Sequence, residues 1–130
     1  NENTVIVFDL DDTLYNELDY LISAFKFIAK KIDPLNYVEL TSNMMSLYRN
    51  NQDVFIFLEN KYQVRKQELL NYYRNHIPSI SLFPGVMELF NCIKSNFGYI
   101  ALLTDGRSIT QRNKIKSLGI ESFFDFIFIY

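Results

Sequence analysis

The sequence predicts an α/β fold in which a helical insertion interrupts a parallel sheet. Short apolar runs typical of buried strands occur at three places: Val5–Phe8, Tyr99–Leu103 and Phe123–Tyr130. Helical patterns lie between these runs, and strands that alternate with helices are typical of doubly wound parallel sheets. A glycine-free helical block, residues 16–76, separates the first strand from the rest of this pattern.

The first strand runs directly into three acidic residues, Asp9, Asp11 and Asp12. A buried strand cannot hold unpaired carboxylates in its core, so the acids should follow its carboxyl end, where ligands bind in open α/β sheets. Side chains alternate along a strand, so Asp9 and Asp11 should point the same way and repel each other unless a divalent cation or a proton intervenes. A capping role would explain one acid, but not three.

Within the insertion, apolar residues at helical spacing predict helices over Glu17–Ile32, Val38–Tyr48 and Arg65–Asn75. Asp53 is suited to cap a further helix between the last two. The run Val54–Leu58 that follows it is also compatible with a strand, and we favour the helix.

Beyond the insertion, local signals mark the ends of two more helices. Pro84 fits the first turn of one helix, and Gly98 fits its left-handed C-cap. Ser108 and Gln111 have the spacing of a capping box, which predicts a second helix from there to Gly119.

The bulk composition excludes several classes of protein. The 130 residues are 48% apolar, with twelve Phe and nine Tyr, which predicts one globular domain, or one domain with an insertion. The formal net charge of −2 argues against nucleic-acid binding. We find no membrane-spanning stretch and no leader, and therefore predict a cytoplasmic protein with no membrane association.

His76 and Cys92 are the only histidine and the only cysteine. We expect His76 to cap a helix C-terminus, because it lies at a predicted helix end and has no second histidine near it for zinc. We expect Cys92 to be a small core residue. A single cysteine cannot form an internal disulfide, which fits a reducing compartment.

The second strand ends in Thr104, Asp105 and Gly106, just before a helix. If the first two strands are neighbours, Thr104 lies beside Asp9, and a hydroxyl, a glycine and a helix N-terminus can bind phosphate there. Asp9 could then attack phosphorus while Asp11 handles the leaving group's proton, and Mg²⁺ would supply positive charge. The second segment alone is also compatible with an ordinary strand-to-helix turn.

Two motifs resemble those of the haloacid dehalogenase-like (HAD) hydrolase superfamily. The segment Asp9–Leu14 (DLDDTL) resembles its first motif, and Leu102–Gly106 is similar to its second. The helical block resembles the C1-type cap of subfamily I. The resemblance implies a Rossmann-like parallel sheet in a HAD-like core of residues 1–15 and 77–130, lacking its C-terminal part, with a cap of residues 16–76.

The resemblance also implies roles for site residues. Asp9 would be the nucleophile that forms an aspartyl-phosphate, and Asp11 the general acid and then the base. The Asp9 carboxylate and the Asp11 main-chain carbonyl would bind Mg²⁺. Thr104 would contact the phosphoryl group, with Asp105 and Gly106 completing the phosphate-binding loop. An acid at position 11, absent from haloacid dehalogenases proper, favours a phosphatase of small-molecule phosphate esters, and Asp12 would shape the loop.

The sequence departs from the family pattern near its end. The third-motif lysine and the fourth-motif acids would lie beyond Tyr130. Lys114 is a candidate for the missing positive charge, but it comes one or two turns into the helix after Thr104, too early for the third motif. We therefore expect these residues to be part of a longer enzyme and to hydrolyse phosphate esters poorly or not at all alone. Without a further strand, Val5–Phe8 would lie at a sheet edge.

Two other interpretations remain open at the level of sequence. One is a catalytically incomplete HAD-like fragment that binds phosphate or a partner without turnover. The other is a receiver-like signalling domain, which also has an acidic pair after its first strand. Its phospho-accepting aspartate would have to be Asp53, which precedes an apolar run instead of following one.

Overall fold

A computed structural model describes residues 4–130. The strands are β1 (Val5–Phe8), β2 (Tyr99–Thr104) and β3 (Phe126–Ile129). The helices are α1 (Glu17–Ile32), α2 (Tyr37–Arg49), α3 (Val54–Tyr62), α4 (Lys66–Asn75), α5 (Val86–Ser95) and α6 (Ser108–Leu118), and two short 3₁₀ turns cover Pro34–Asn36 and Glu121–Phe123. None of the helices in this described range has the length and apolar character that crossing a bilayer requires.

The strands form one parallel sheet in the order β1-β2-β3. Phe8 pairs with Leu102, and Leu102 pairs with Ile127, so the three carboxyl ends lie at the same edge of the sheet. The predicted α/β fold, a parallel sheet with helical crossovers, is confirmed.

The middle strand, β2, lies in the buried core around the sheet. Its Ile100 and Leu102 are fully buried. Phe90 of α5 is also fully buried, and its ring contacts Phe8, with ring centroids 5.1 Å apart. The centroids of Phe123 and Phe124 each lie 5.6 Å from that of Phe90. These aromatic contacts tie the segment before β3 to the helix that precedes β2.

The first strand is more exposed than its sequence predicts. Val5 is 48% and Val7 59% exposed, so the expectation of a strand buried on both faces is wrong. Within the described sheet β1 is an edge strand, as expected if no further strand pairs with it. Apolar composition alone cannot distinguish an edge strand from a central one.

The described residues divide into two compact units, residues 4–20 with 77–130 and residues 21–76. The second unit is helical and has its own buried cluster: Phe25, Ile28, Ala29, Leu40, Met44, Met45, Val54, Leu58 and Leu69. The Asp53 side chain accepts a hydrogen bond from the Ile56 N–H at 3.1 Å, so the predicted cap holds and the run after it is a helix, not a strand.

Two predicted helix ends differ in the structure. Pro84 lies in the turn before α5, because Gly85, with φ of +89°, is the N-cap. At the other end, the left-handed residue is Phe97 (φ +61°) and not Gly98. The N–H groups of Phe97 and Gly98 donate to Lys94 and Ile93 carbonyls, a Schellman motif. A Cβ at Gly98 would lie 2.8 Å from Ile93 Cγ2, so close approach explains this glycine.

The single histidine and cysteine have contrasting surroundings. His76 is buried, and its Nδ1 lies 2.8 Å from the Tyr73 carbonyl, which confirms the capping role at the end of α4. Its Nε2 lies 3.1 Å from the Ser23 hydroxyl. Cys92 is exposed, so its prediction as a core residue is wrong. The buried residues near it in α5 are Phe90 and Ile93.

Candidate active site

Asp9 lies at the carboxyl edge of the sheet, immediately after β1. Its side chain is exposed, and its Oδ1 accepts a hydrogen bond from the Leu10 N–H at 2.7 Å. Leu10 is fully buried, and its carbonyl accepts hydrogen bonds from the N–H groups of Thr13 and Leu14 at 3.2 and 3.0 Å. The buried leucine therefore anchors a tight turn that leaves the Asp9 carboxylate accessible.

Asp11 is held by three donors. Its Oδ1 accepts from the Tyr15 hydroxyl and from Lys114 Nζ, the latter at 2.8 Å, and its Oδ2 accepts from Gln111 Nε2 at 3.1 Å. Partial burial by itself raises the pKa of Asp11, but the hydrogen bonds and the positive charge of Lys114 outweigh it and lower the pKa below its usual value. Asp11 is therefore a fixed carboxylate at neutral pH.

Lys114 brings a buried positive charge to this site. Its side chain is only 7% exposed, and it forms an ion pair with Asp11. The ammonium also lies 4.5 Å from the Tyr20 ring centroid and 6.0 Å from that of Tyr15, within cation–π range. Burial, followed by the hydrogen bond to Asp11, raises the pKa of Tyr15, so its hydroxyl remains a donor. The lysine that comes too early for the third motif thus lies beside Asp11.

Thr104 and Gln111 form the second half of the site. Both are buried, and Gln111 Nε2 donates to Thr104 Oγ1 at 2.7 Å. The predicted capping box of Ser108 and Gln111 is wrong. The N-cap of α6 is Arg107, no side chain caps this helix end, and the Gln111 side chain contacts the site instead. In a capping box the Gln111 side-chain oxygen would accept from a main-chain N–H, whereas here the side chain is oriented so that its Nε2 donates to Asp11 Oδ2 at 3.1 Å and to Thr104 Oγ1.

The loop after β2 contains the other two predicted phosphate-binding residues, Asp105 and Gly106, and both are exposed. The Gly106 N–H donates to the Tyr130 carbonyl at 3.0 Å, and the Tyr130 N–H donates to the Thr104 carbonyl at the same distance. The chain after β3 therefore holds this loop. A phosphate contact by either loop residue stays a prediction.

Asp12 shapes the turn after β1. It has a left-handed backbone, with φ of +58°, and its Oδ1 accepts from the Glu17 N–H at 2.8 Å, at the start of α1. Partial burial, followed by the negative charges of Asp11 and Asp12, raises the pKa of Glu17. Asp12 therefore has a local structural role, while its charge adds to a negative field around the turn.

Sequence reasoning did not assign Tyr15, Gln111 or Lys114 as partners of Asp11, although it considered Lys114 for the missing positive charge. A usable signal was present for two of them. Gln111 and Lys114 are three residues apart and thus share a face of α6, and α6 begins directly after the β2 loop. Tyr15 carried no comparable signal, because an aromatic residue after a turn is more often part of a core.

The oxygen ligands after β1 are of the kind that Mg²⁺ prefers, but the side chains there supply only part of the number that a complete site needs. Mg²⁺ prefers oxygen ligands and commonly uses one or two carboxylates together with water and substrate phosphate. The Asp9 carboxylate is accessible, whereas the Asp11 side chain is engaged by Lys114 and its other donors. Among residues 4–130, no group of three or more His, Cys, Asp and Glu side chains is arranged to hold a metal ion.

The receiver-like interpretation is wrong for this fold. A phospho-accepting aspartate would have to follow a central strand, but Asp53 is the N-cap of α3 in the helical unit. Its side chain accepts from the Ile56 N–H and is therefore part of the helix end.

A sequence model of the haloacid dehalogenase-like hydrolases matches residues 6–130. The chain belongs to this family. The sequence matches no curated protein. The HAD-like resemblance of the two strand-exit motifs is thereby confirmed at the level of the family.

Solved structures share the HAD-like fold at low sequence identity. A haloacid dehalogenase-like family hydrolase from Xanthomonas campestris is 19% identical with a TM-score of 0.56, over 99% of this chain and 62% of that one. A HAD-hydrolase from Bacillus subtilis, bound to magnesium, is 18% identical with a TM-score of 0.58, over 99% of this chain and 64% of that one. A protein assigned as a beta-phosphoglucomutase, from Thermotoga maritima, is 18% identical with a TM-score of 0.57, over 97% of this chain and 61% of that one. This HAD-like chain thus spans less than two thirds of their length.

Replacing Gly106 by alanine should destabilise the protein by about 2–3 kcal/mol. Gly106 has φ of +148°, and a Cβ there would lie 2.9 Å from Gln111 Cδ and 3.1 Å from its Cγ and Oε1, so backbone strain and a steric contact add. Gly119→Ala is the matched control, because Gly119 has φ of +70° with nothing within 4 Å of its Cβ position, and should cost about 1 kcal/mol. Urea unfolding of both variants measures the difference, and equal costs would contradict the contact.

Proposed function

We propose that this chain carries the nucleophile and the phosphoryl-contacting residues of a Mg²⁺-dependent phosphatase that hydrolyses small-molecule phosphomonoesters through an aspartyl-phosphate on Asp9. The observation that carries the proposal is the arrangement at one sheet edge. An accessible Asp9 carboxylate lies two residues from Asp11, which Gln111 links to the Thr104 hydroxyl. Membership of the HAD-like hydrolases supports hydrolysis in general.

In the first step, the Asp9 carboxylate attacks phosphorus and the bond from phosphorus to the leaving oxygen breaks. The leaving oxygen takes a proton from Asp11. The hydrogen bonds from Lys114 and Tyr15 lower the pKa of Asp11 before substrate binds, so this step requires the carboxyl first to take a proton from solvent water. An anionic phosphoryl group close to Asp11 would favour that gain, since a nearby negative charge raises a carboxyl pKa.

In the second step, Asp11 is again a carboxylate and takes a proton from a water molecule, which attacks the phosphorus of the aspartyl-phosphate. The bond between phosphorus and the Asp9 oxygen breaks, phosphate is released and the Asp9 carboxylate is restored. The three donors on Asp11 hold it in the ionised form that this step needs.

Thr104 contributes a hydroxyl at the exit of β2. Because its oxygen accepts from Gln111, its own hydrogen points elsewhere and can be donated to a phosphoryl oxygen. The Asp9 carboxylate and the Asp11 main-chain carbonyl would hold Mg²⁺. When bound, Mg²⁺ would offset the charge repulsion between the attacking carboxylate and the anionic phosphate.

We assign the helical block of residues 16–76 the role of a cap on a core of residues 1–15 and 77–130. A cap that excludes bulk water favours small phosphate esters such as sugar phosphates or nucleotides. The single exposed Cys92 and the absence of an internal disulfide fit a reducing compartment, and we propose the cytoplasm.

The test is a phosphatase screen of the full-length gene product and of the 130-residue chain. We expect phosphate release from p-nitrophenyl phosphate and from members of a panel of small phosphomonoesters with Mg²⁺ present. Chelation with EDTA should abolish the release, and added Mg²⁺ should restore it. The 130-residue chain alone should turn over poorly or not at all.

Binding without turnover is the second candidate, favoured by the incomplete acidic set among residues 4–130. If no panel member is hydrolysed by the full-length product while inorganic phosphate still binds at Thr104, binding without turnover is the better description. Robust Mg²⁺-dependent turnover by the 130-residue chain would contradict the expectation that this piece is inactive alone.

A further inference from the structure

We propose that Gln111 is a positioning residue that fixes Thr104 and Asp11 relative to each other, a role that rests on the proposed phosphatase function. Its side chain is 2% exposed and lies between the two residues. One amide nitrogen, Nε2, serves both: it lies 2.7 Å from Thr104 Oγ1 and 3.1 Å from Asp11 Oδ2.

The donor and acceptor atoms of these two hydrogen bonds define the orientation of the Gln111 amide. Asp11 Oδ1 accepts from Lys114 Nζ and from the Tyr15 hydroxyl, and Asp11 Oδ2 accepts from Gln111 Nε2, so it is the nitrogen of Gln111 that faces Asp11. The two hydrogens on that nitrogen then go to two different acceptors, the Asp11 carboxylate and the Thr104 hydroxyl oxygen. As a result, the Thr104 hydrogen is directed away from Gln111 and is available for a phosphoryl oxygen.

The neighbouring backbone is shaped around the same side chain. Gly106 approaches Gln111 so closely that a Cβ would lie 2.9–3.1 Å from three of its side-chain atoms, Cδ, Cγ and Oε1. A glycine at this position therefore leaves room for Gln111 beneath the loop. On the next turn of α6, Lys114 binds the other oxygen of the Asp11 carboxylate. Two residues on one face of α6 thus bond both carboxylate oxygens of Asp11. Of these two, Gln111 is the one that also bonds Thr104 at the end of β2.

The two hydrogen bonds of Gln111 form a bridge that connects Asp11, which follows β1, with Thr104, at the end of β2. These two residues are more than ninety positions apart in the sequence. In the proposed reaction, Thr104 contacts the transferred phosphoryl group and Asp11 moves the leaving-group proton. A shift of either by a fraction of an ångström would misalign both contacts, and such misplacement acts mainly on the transition state. Gln111 should therefore influence kcat more than KM.

The experiment compares Gln111→Met, which keeps the size and loses both donors, with Gln111→Glu, which keeps the shape and adds a charge that faces Asp11. Gln67→Met and Gln67→Glu are matched controls, because Gln67 is exposed on α4 and bonds only Asn71 among the described contacts. The full-length protein is assayed with p-nitrophenyl phosphate and Mg²⁺. Circular dichroism and thermal unfolding establish that each variant is folded.

We expect Gln111→Met to lower kcat about 10- to 100-fold with KM within threefold, the effect of losing one charge-assisted and one neutral hydrogen bond. Gln111→Glu should lose more, and the Gln67 variants should match the wild type. In a double-mutant cycle, Gln111→Met should lower kcat less in the Thr104→Val background than in the wild type, because the part of its role that passes through that hydroxyl is already lost. A kcat within twofold of wild type for Gln111→Met, or full additivity with Thr104→Val, would overturn the inference.

A spectroscopic arm separates this inference from the proposed function. In ¹⁵N-labelled protein, the Gln111 side-chain amide signals should move in Thr104→Val and in Asp11→Asn, and they should move when inorganic phosphate is added to the wild type. Movement without turnover would support the bridge and remove the phosphatase proposal. Turnover that depends on Asp9, together with amide signals that stay unmoved in both variants, would remove the bridge and leave the phosphatase proposal standing.

Discussion

Replacing Asp9 by asparagine should lower phosphatase kcat by roughly 10⁴- to 10⁶-fold, the range that loss of a key member of a covalent catalytic group spans in other enzymes. An amide cannot form the covalent phosphoryl intermediate, although it keeps the size of the side chain. The amide oxygen of the substituted side chain can still accept from the Leu10 N–H, so the turn after β1 should be preserved. Steady-state assays on the full-length protein with p-nitrophenyl phosphate and Mg²⁺ measure the effect.

The matched control for this prediction is Asp12→Asn, the same chemical change three residues away. Asparagine tolerates the left-handed backbone at position 12, and its Oδ1 can keep the hydrogen bond to the Glu17 N–H. Activity should therefore stay within a few-fold of the wild type. A hydroxylamine-sensitive phosphoryl label should form on the wild type and on Asp12→Asn but not on Asp9→Asn. Equal activity losses in the two variants would remove Asp9 as the nucleophile.

The sheet and the acidic segment after β1 were predictable because the sequence patterns that indicate them are local. Apolar runs that end in polar residues marked the exits of β1 and β2, and a parallel arrangement brings such exits to one edge. The acids that follow β1 are close in sequence and needed no long-range information. The helices of residues 21–76 followed from spacing and from the Asp53 cap.

The placement of Gln111 and Lys114 beside Asp11 depends on distant contacts. Their spacing puts them on one face of α6 but does not show which residue that face meets. Gln111 and Lys114 lie about one hundred residues from Asp11, and their side chains can be assigned to it only once the register of β1 and β2 is known. The local signal at Gln111 even pointed to a different role, a helix cap. The exposure of β1 likewise depends on which strands pair, and not on the composition of Val5–Phe8.

The same contacts make Asp11 important for stability as well as for chemistry. We expect Asp11→Asn to reduce the free energy of unfolding by about 3 kcal/mol at pH 7, because it leaves the buried Lys114 ammonium without a countercharge. The low end of the range for buried pairs applies, since the Asp11 side chain is 21% exposed. Chemical denaturation of wild type and variant measures the difference.

Asp125→Asn is the matched control, because Asp125 also pairs with a lysine, Lys94, but with side chains 30% and 32% exposed. Its hydrogen bond from the Ile100 N–H can be kept by asparagine, so the cost should be about 1 kcal/mol or less. A double variant, Asp11→Asn with Lys114→Met, should recover part of the loss, because it removes the unpaired charge. Equal costs for Asp11→Asn and Asp125→Asn would contradict the buried pair.

The pH dependence of the Asp11→Asn effect follows from the sign of the pKa shift. The folded protein holds the pKa of Asp11 below its usual value, so the unfolded state binds this proton more readily as pH falls. The stabilisation is therefore complete above the ordinary aspartate pKa of about 4 and is lost as pH drops through the lowered value. The gap between wild type and Asp11→Asn should be constant from pH 6 to pH 8 and should narrow below about pH 4. A gap that widens on acidification would mean that Asp11 is protonated in the folded protein, and Lys114 would then have no carboxylate to neutralise.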